Sequence, residues 1–416
     1  MSLSILRTVH QLKQKVASLG YELPNLSGRA KKEPLIKILQ DHYLNEMDYV
    51  HPSLPLMLEL GTPMLCSRLN QLDVKEQEEI WDDDNVFFEL KEDGHRNLLF
   101  VIDGHIEHYS RHLSVQNYLP ISYGDKIWMP VDHTQLKNNF ILDTEIISTN
   151  ASINTILAKK GVITETQLEA VSALLQLNAE DSLYLQQKYG CPLKLQVFDC
   201  VWWEGEWLIN LPLSERRDYL SRAYSQLKKA GANVSVLPCS RTAKRDFYKR
   251  VIDRKMEGVV AKRIDSIYVP NGFRGHKSWI KIKGFMQERL QILGMSDTIE
   301  GFVTGFIAGK KGSGWENLVG ALKLSVLIDD GAGNQYEHWV ATPSNLTFQE
   351  RSEMTELTPK GPQLKREYYD KIYEFNGQSV SSRSRRFNHA TIIRERKDKT
   401  KLDCVYPESM ITNFIL

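Results

Sequence analysis

Cysteine is scarce: there are five in 416 residues, Cys66, Cys191, Cys200, Cys239 and Cys404. None forms a CxxC pair, and none stands at a metal-finger spacing from a histidine. An odd, scattered set fits buried thiols in a reducing compartment better than a disulfide framework. Long hydrophobic runs are also missing. No window approaches ~18 consecutive apolar residues, so no membrane span is expected, and the first residues lack the apolar core of a secretory signal. Nor does either charge dominate: 53 Lys and Arg against 52 Asp and Glu leave a net charge of +1. That excludes a uniformly basic coat but not a nucleic-acid partner, because the charge is segregated. "SRSRRFNHATIIRERKDKTK" is strongly basic and "EQEEIWDDD" is acidic. With 42% apolar and 25% charged residues the chain is an ordinary globular composition, long enough for two or three domains. It contains no internal repeat and no low-complexity tract.

Residues 1–50 read as two short helices. Leu6, Val9, Leu12 and Val16 keep a helical period up to Gly20, and "KKEPLIKILQDHYL" tolerates Pro34 because it falls in a first turn. The pair carries Lys13, Lys15, Arg29, Lys31, Lys32 and Lys37. It reads either as a small hairpin with solvated lysines or, by resemblance, as a SAP-type helix–loop–helix module that binds nucleic acid. "HPSLPLMLELGTPM" looks like a linker leading into a domain. Strand patterns follow. "NVFFELKE" and "RNLLFVI" flank Asp93-Gly94, a second Asp-Gly stands at Asp103-Gly104, and Asp-Gly between apolar runs signals a hairpin. "FILDTEII", "LKLQVFDCVWW", "MEGVVAKR" and "SWIKIKG" are further strands. "LSERRDYLSRAYSQLKKAG" is a helix, capped in this reading by Ser214, and residues 151–190 are helical. Beyond Gly284, strands with glycine-rich turns suggest a small antiparallel barrel.

The chemistry centres on "FFELKEDGHRNLLFVIDGH". A free lysine, with a pKa near ~10.4, is a poor nucleophile at neutral pH, and nearby cations and partial burial lower that value. Lys281 and Lys283 alternate on a strand and so face one way. Lys262 follows "EGVVA", and Asp143 and Glu145 stand two apart. Together these offer a nucleophilic amine, cations for phosphates, and carboxylates for Mg²⁺ or a ribose. That is an inventory for nucleotidyl transfer through a lysine phosphoramidate. Each piece alone is ordinary; alternating lysines on a strand most often make a solvated face.

The ordered set resembles the ATP-dependent DNA ligases of the covalent nucleotidyltransferase superfamily, over about residues 60–400. "KEDGHR" is similar to the family's nucleophile motif, with Lys91 as the nucleophile and Arg96 beside the nucleotide. "YSRH" matches its Ser-Arg motif at Ser110 and Arg111. "LDTEII" resembles the strand whose glutamate, Glu145, meets ribose and metal. "VFDC" matches the segment whose aromatic residue, Phe198, stacks on adenine. "EGVVAKR" and "WIKIK" match the last two motifs of the nucleotide domain, which makes Glu257 a metal ligand, Val260 the second adenine contact, and Lys281 and Lys283 phosphate ligands. Glu89 occupies the position that reads the adenine amino group, and "TPMLC" is similar to a segment upstream of many ligase motifs.

The C-terminal part resembles the family's OB-fold domain. Its last motif presents Arg-x-Asp-Lys to pyrophosphate. In "IIRERKDKTK" the equivalents are Arg394, Asp398 and Lys399, with extra residues after the arginine, so the choice between Arg394 and Arg396 stays open. The helical stretch 151–190 is a second departure, read as a surface insertion that only packs. NAD-dependent ligases would bring four zinc-binding cysteines. Capping enzymes share KxDGxR but use GTP, RNA ligases share the first step, and an idle nick-binding protein would lack catalytic positions that are filled here.

The resemblance thus implies an α+β chain: a SAP-like module over 1–50, a mixed α/β nucleotidyltransferase domain with antiparallel sheets over 60–284, and an OB-fold β-barrel over 285–416, with Gly284 as the hinge. It implies ATP and Mg²⁺ (or Mn²⁺) as cofactors. Lys91 would take AMP from ATP, pass it to the 5′-phosphate of a nick, and the 3′-hydroxyl would then close the strand. The implied partner is nicked double-stranded DNA, encircled by a monomer. The expected setting is intracellular (cytoplasm, nucleoid or nucleus, or host cytoplasm for a virus), with no membrane.

Overall fold

The computed structural model describes residues 9–24, 32–114, 116–148, 157, 167–254, 256–271, 276–282, 298–310, 314–332, 334–377, 379–381 and 384–412. Lys283 and Gly284, expected as a phosphate ligand and a hinge, lie outside them. The chain divides into two compact units that meet in sequence at Lys283 and Gly284.

In the first unit the two N-terminal helices are Val9–Ser18 and Glu33–Asn45, the latter with its proline in the first turn. Leu12, Val16, Leu35 and Leu39 recur four apart, so each helix offers one apolar stripe, and the two stripes close on each other and on Tyr118. Gln40 Nε2 also donates to the Tyr118 carbonyl at 2.9 Å. The stretch expected as a linker is partly a helix, Ser53–Leu60, because Leu54, Met57 and Leu60 supply a helical face that is buried.

Twelve strands follow: β1 (Ser67–Arg68), β2 (Val86–Lys91), β3 (His95–Ile102), β4 (His105–Leu113), β5 (Pro120–Ser122), β6 (Phe140–Ser148), β7 (Leu193–Trp203), β8 (Glu206–Trp207), β9 (Val234–Val236), β10 (Cys239–Ser240), β11 (Gly258–Arg263) and β12 (Trp279–Ile282). They form two sheets, ordered β1-β12-β11-β2-β10 and β5-β4-β3-β6-β7-β8, with β9 alongside β7. Asp103-Gly104 is the hairpin expected: Ile102 pairs with His105, and both turn residues have positive φ, 51° and 75°. Asp93-Gly94 is not a hairpin. β2 and β3 belong to different sheets, so this turn carries the chain from one sheet to the other.

Helices cover the outer faces. Gln167–Gln176 packs on β3 and β6, and Leu213–Lys229 on β7 and β9, while Lys244–Asp253 packs on β2 and β11. Residues 167–188 are therefore more than a surface insertion: Ala170, Val171, Leu174, Leu175 and Leu185 belong to the main core of the larger sheet. The helix at 213 starts after Pro212 without a side-chain cap; the Ser214 backbone N–H goes instead to the Ile264 carbonyl at 2.9 Å.

The second unit adds β13 (Ile299–Ala308), β14 (Val319–Asp329), β15 (Gln335–Ala341), β16 (Thr355–Thr358), β17 (Gly361–Leu364), β18 (Ile372–Asn376), β19 (Ser379–Val380), β20 (Phe387–Asn388), β21 (Thr391–Glu395) and β22 (Val405–Pro407). β13, β14 and β15 form a meander, β15 pairs in parallel with β20, and β21 pairs with β18, which returns to β13. β20 and β21 are one run of chain bent near His389, whose φ is 51°. The strands thus form one sheet, ordered β19-β20-β15-β14-β13-β18-β21 with β22 beside β14, that wraps as a half-barrel in keeping with the OB-fold expected. A helix, Phe348–Met354, lies between β15 and β18. Its buried Arg351 donates to the carbonyls of Val319, Ser344 and Leu346 at 2.7, 2.6 and 3.1 Å. Among the described residues no helix is long and apolar enough to cross a membrane.

Candidate active site

Register places the site residues of the first unit. Across β2 and β11, Lys91 stands opposite Gly258, Glu89 opposite Val260 and Phe87 opposite Lys262; across β11 and β12, Val260 meets Lys281 and Lys262 meets Trp279. Because strand side chains alternate, Lys91, Glu89, Val260, Lys262 and Lys281 share one face of the smaller sheet. On the larger sheet Arg96 is paired with Glu145 across β3 and β6. The Asp93-Gly94 turn joins the two sets. A Cβ on Gly94 would lie 2.3 Å from the Ile146 carbonyl oxygen and 2.8 Å from Glu145 Cγ. The glycine is therefore needed for the turn to lie close against β6.

Lys91 Nζ donates to Glu257 Oε2 at 2.6 Å. Burial works to lower the Lys91 ammonium, but the charges of Glu257 and Glu145 outweigh it and hold the group above its ordinary value. This corrects the expectation of cations around the nucleophile: the charges that dominate at Lys91 are carboxylates. Burial pushes Glu145 up to about 7, against the pull of Lys91 and Arg96. Arg111, on β4, also adds its positive field at Glu145.

Two residues are committed elsewhere. Arg96 places Nε and Nη2 on the Asp143 carboxylate, and Nη2 also reaches the Met64 carbonyl at 3.2 Å. Tyr268 donates its hydroxyl to Asp143 at 2.6 Å. Asp143 is thus the anchor for Arg96, and the pair braces the wall of the site. Phe198 is buried, with Arg96 Cζ 4.7 Å and Lys262 Nζ 4.6 Å from its ring centroid. Val260 is buried nearby on the facing sheet.

The far end of the strand face holds residues that the sequence reading missed. Glu89, 1% exposed, accepts from Lys262 Nζ and from Arg217 Nη1, the latter at 2.9 Å. Arg217 comes from the helix Leu213–Lys229, and only its place beside another arginine marked it in the sequence. That neighbour, Arg216, is fully buried and holds both oxygens of the equally buried Asp199 at 2.9 Å.

In the second unit Arg394 is largely exposed and donates to Glu374 at 2.6 Å. Arg396 is more enclosed. It holds Asp398 through Nε and Nη2 at 3.0 and 2.9 Å and also bonds Glu300, which Lys399 approaches at 3.7 Å. The bonds from Arg396 pull Asp398 down to about 2. Arg396-Lys397-Asp398-Lys399 itself has the Arg-x-Asp-Lys spacing.

The model of the ATP dependent DNA ligase domain matches residues 63–283. A DNA ligase of Thermococcus onnurineus is 32% identical over 179 residues, 38% of this chain and 32% of that one. A probable DNA ligase of Dictyoglomus turgidum is 25% identical over 262 residues, 61% of this chain and 41% of that one. The chain thus spans less than half the length of these relatives. Two solved structures overlap it loosely. A Lig E DNA ligase has a TM-score of 0.45 at 15% identity, covering 80% of this chain and 99% of that one. The bacteriophage T7 ATP-dependent DNA ligase has a TM-score of 0.36 at 14% identity, covering 81% and 99%. Since the family model takes in more than half of its residues, the chain belongs to the ATP-dependent DNA ligase family.

Proposed function

We propose that the protein is an ATP-dependent DNA ligase that seals 5′-phosphate/3′-hydroxyl nicks in duplex DNA through lysyl-AMP and a DNA-adenylate. The observation that carries this reading is Lys91, lodged between Glu257 at 2.6 Å and the field of Glu145 on the facing sheet. A charged amine cannot attack, so Lys91 must first shed a proton, and Glu257 is the acceptor beside it. Lys91 Nζ then forms a bond to the α-phosphorus of ATP, and the bond to the β-bridging oxygen breaks as pyrophosphate leaves. AMP passes next to the 5′-phosphate of the nick. Attack by the 3′-hydroxyl on that phosphate forms the phosphodiester and releases AMP.

Other residues hold and orient. Glu89 receives the adenine amino group, Phe198 and Val260 contact the base, and Arg111 faces the ribose-phosphate side. Lys281 and Lys283 hold the transferring phosphate. Arg396 and Lys399, with Arg394 as an outer cation, orient pyrophosphate. Glu145 and Glu257 would hold Mg²⁺, since two carboxylates completed by phosphate oxygens and water suit that ion. When bound it would neutralise charge developing on the phosphates. The N-terminal helix pair would add affinity for the duplex through its lysines. Such an enzyme would work inside the cell, where ATP and duplex DNA are found together.

The test is direct. The protein incubated with ATP radiolabelled on the α-phosphate should acquire label on Lys91. It should then seal nicked duplexes carrying DNA on both sides of the nick. Label without sealing of any DNA nick, but with sealing of RNA ends, would replace DNA by RNA as the substrate. No label at all would overturn the reading.

A further inference from the structure

The base end of the site has an organisation that the resemblance does not supply. Glu89 sits mid-strand, 1% exposed, with no solvent to orient it. One oxygen accepts from Lys262 and the other from Arg217. Lys262 is itself 2% exposed and lies 4.2 Å from the Trp279 ring centroid and 4.6 Å from that of Phe198. Arg217 is a quarter exposed and closes the rim, 5.1 Å from the Phe87 centroid. Its base cannot turn freely. The preceding Arg216 is clamped on Asp199 and also donates to the carbonyls of Leu211 and Ser266 at 2.6 and 2.8 Å.

We propose that Arg217 is a specificity-determining residue that positions Glu89, and that with Lys262 it makes this end of the pocket a reader of 6-amino over 6-oxo purines. Each carboxylate oxygen offers about two acceptor sites, so one cation on each leaves an acceptor direction open on both. Held from two sides, the carboxylate keeps that direction fixed. A 6-amino group donates into it. A 6-oxo group sets lone pairs against lone pairs in a buried site, where an unmade hydrogen bond is costly. Without Arg217, Glu89 hangs from Lys262 alone, and the free oxygen can turn away from a 6-oxo group.

The proposal rests on the ligase reading and deepens it, so the experiment keeps the two apart. Binding of AMP and of IMP is measured by calorimetry on the full chain for wild type, Arg217→Ala, Arg217→Lys and Lys262→Met. Labelling of Lys91 by ATP and by ITP is followed in parallel. Wild type should prefer AMP by about 100-fold or more, as expected of a site built around a donor on its ligand. Arg217→Ala should cut that ratio about tenfold or more. Arg217→Lys should recover only part of it, because a point charge replaces a planar fork. If Arg217→Ala does not fold, the ratio in Arg217→Lys decides. A role in stability alone would weaken AMP and IMP equally; an unchanged ratio, or a wild type without preference, overturns the proposal. A wild type that prefers AMP but takes no label on Lys91 overturns the ligase reading and leaves the binding proposal standing.

Discussion

Gly94→Ala adds a single methyl group where the turn between the two sheets lies against β6. Its Cβ would fall 2.3 Å from the Ile146 carbonyl oxygen, 2.8 Å from Glu145 Cγ and 2.9 Å from Ile147 Cγ2. Ordinary contact begins at 3.4 Å, so the backbone must open by 3.4 − 2.3 = 1.1 Å along the tightest line. β6 is paired on both sides, with β3 and β7, so the turn gives way, and Lys91 is three residues upstream. Overpacking of this kind costs about 1–3 kcal/mol, which leaves a protein of ordinary stability folded. Catalysis is more sensitive, because a displacement of about 1 Å at reacting groups costs on the order of 100-fold. The assay is single-turnover transfer of AMP to Lys91, with urea unfolding measured alongside. Gly104→Ala is the control. Its φ of 75° makes alanine strained there, yet the nearest atom to a Cβ is 3.6 Å away. It should lose about 1 kcal/mol of stability and keep its rate. If Gly94→Ala transfers AMP within about threefold of wild type, or if both variants lose rate equally, the turn does not set the reacting geometry.

Four further outcomes are expected. Lys91→Ala and Lys91→Arg should both take no label from ATP, since a guanidinium stays protonated; label surviving in either one places the nucleophile elsewhere. Arg396→Ala should fail to label Lys91 yet still seal a nick that already carries AMP, whereas Arg394→Ala should label at a rate closer to wild type; equal loss in both assays would make the segment a DNA contact. Burial holds the His108 imidazole down to about 3, below the 6.5 of the unfolded chain. The unfolded state therefore binds the extra proton, and stability present above pH 6.5 should fall by up to about 1.4 kcal/mol per pH unit on acidification towards 3. His108→Asn should flatten that slope in urea titrations at several pH values. Lys13→Gln with Lys37→Gln should leave labelling intact but weaken nicked-duplex binding and lower its salt slope by about one unit for each phosphate no longer neutralised; an unchanged slope would remove the helix pair from the DNA.

Much of this was legible along the chain. Strand alternation already set Lys281 and Lys283 facing one way, because a period of two needs no knowledge of partners; that Lys281 shares a face with Glu89 and Lys91 came only from the register across β2, β11 and β12. The half-barrel was legible from its strands and glycine turns. What escaped were pairings between distant segments. Arg217 reaches Glu89 across 128 positions and Tyr268 reaches Asp143 across 125, and no local pattern distinguishes such an arginine or tyrosine from a solvated one. The Asp93-Gly94 turn misled for a related reason. An Asp-Gly pair between apolar runs reports a turn, but it cannot report that the two strands leave in different sheets.

The clamp of Arg216 on Asp199 has a consequence in time. The helix Leu213–Lys229 cannot lift from β7 without stranding a carboxylate and a guanidinium, neither of which has any exposed surface in the folded state. Partial openings that detach this helix alone are therefore penalised. Amide hydrogen exchange on the helix and on the middle of β7 should proceed at one common rate, that of opening the whole larger sheet. The β1 edge of the smaller sheet, only two residues long, should exchange sooner. Arg217, carried by that helix, would thus sit on the slowest-opening part of the first unit.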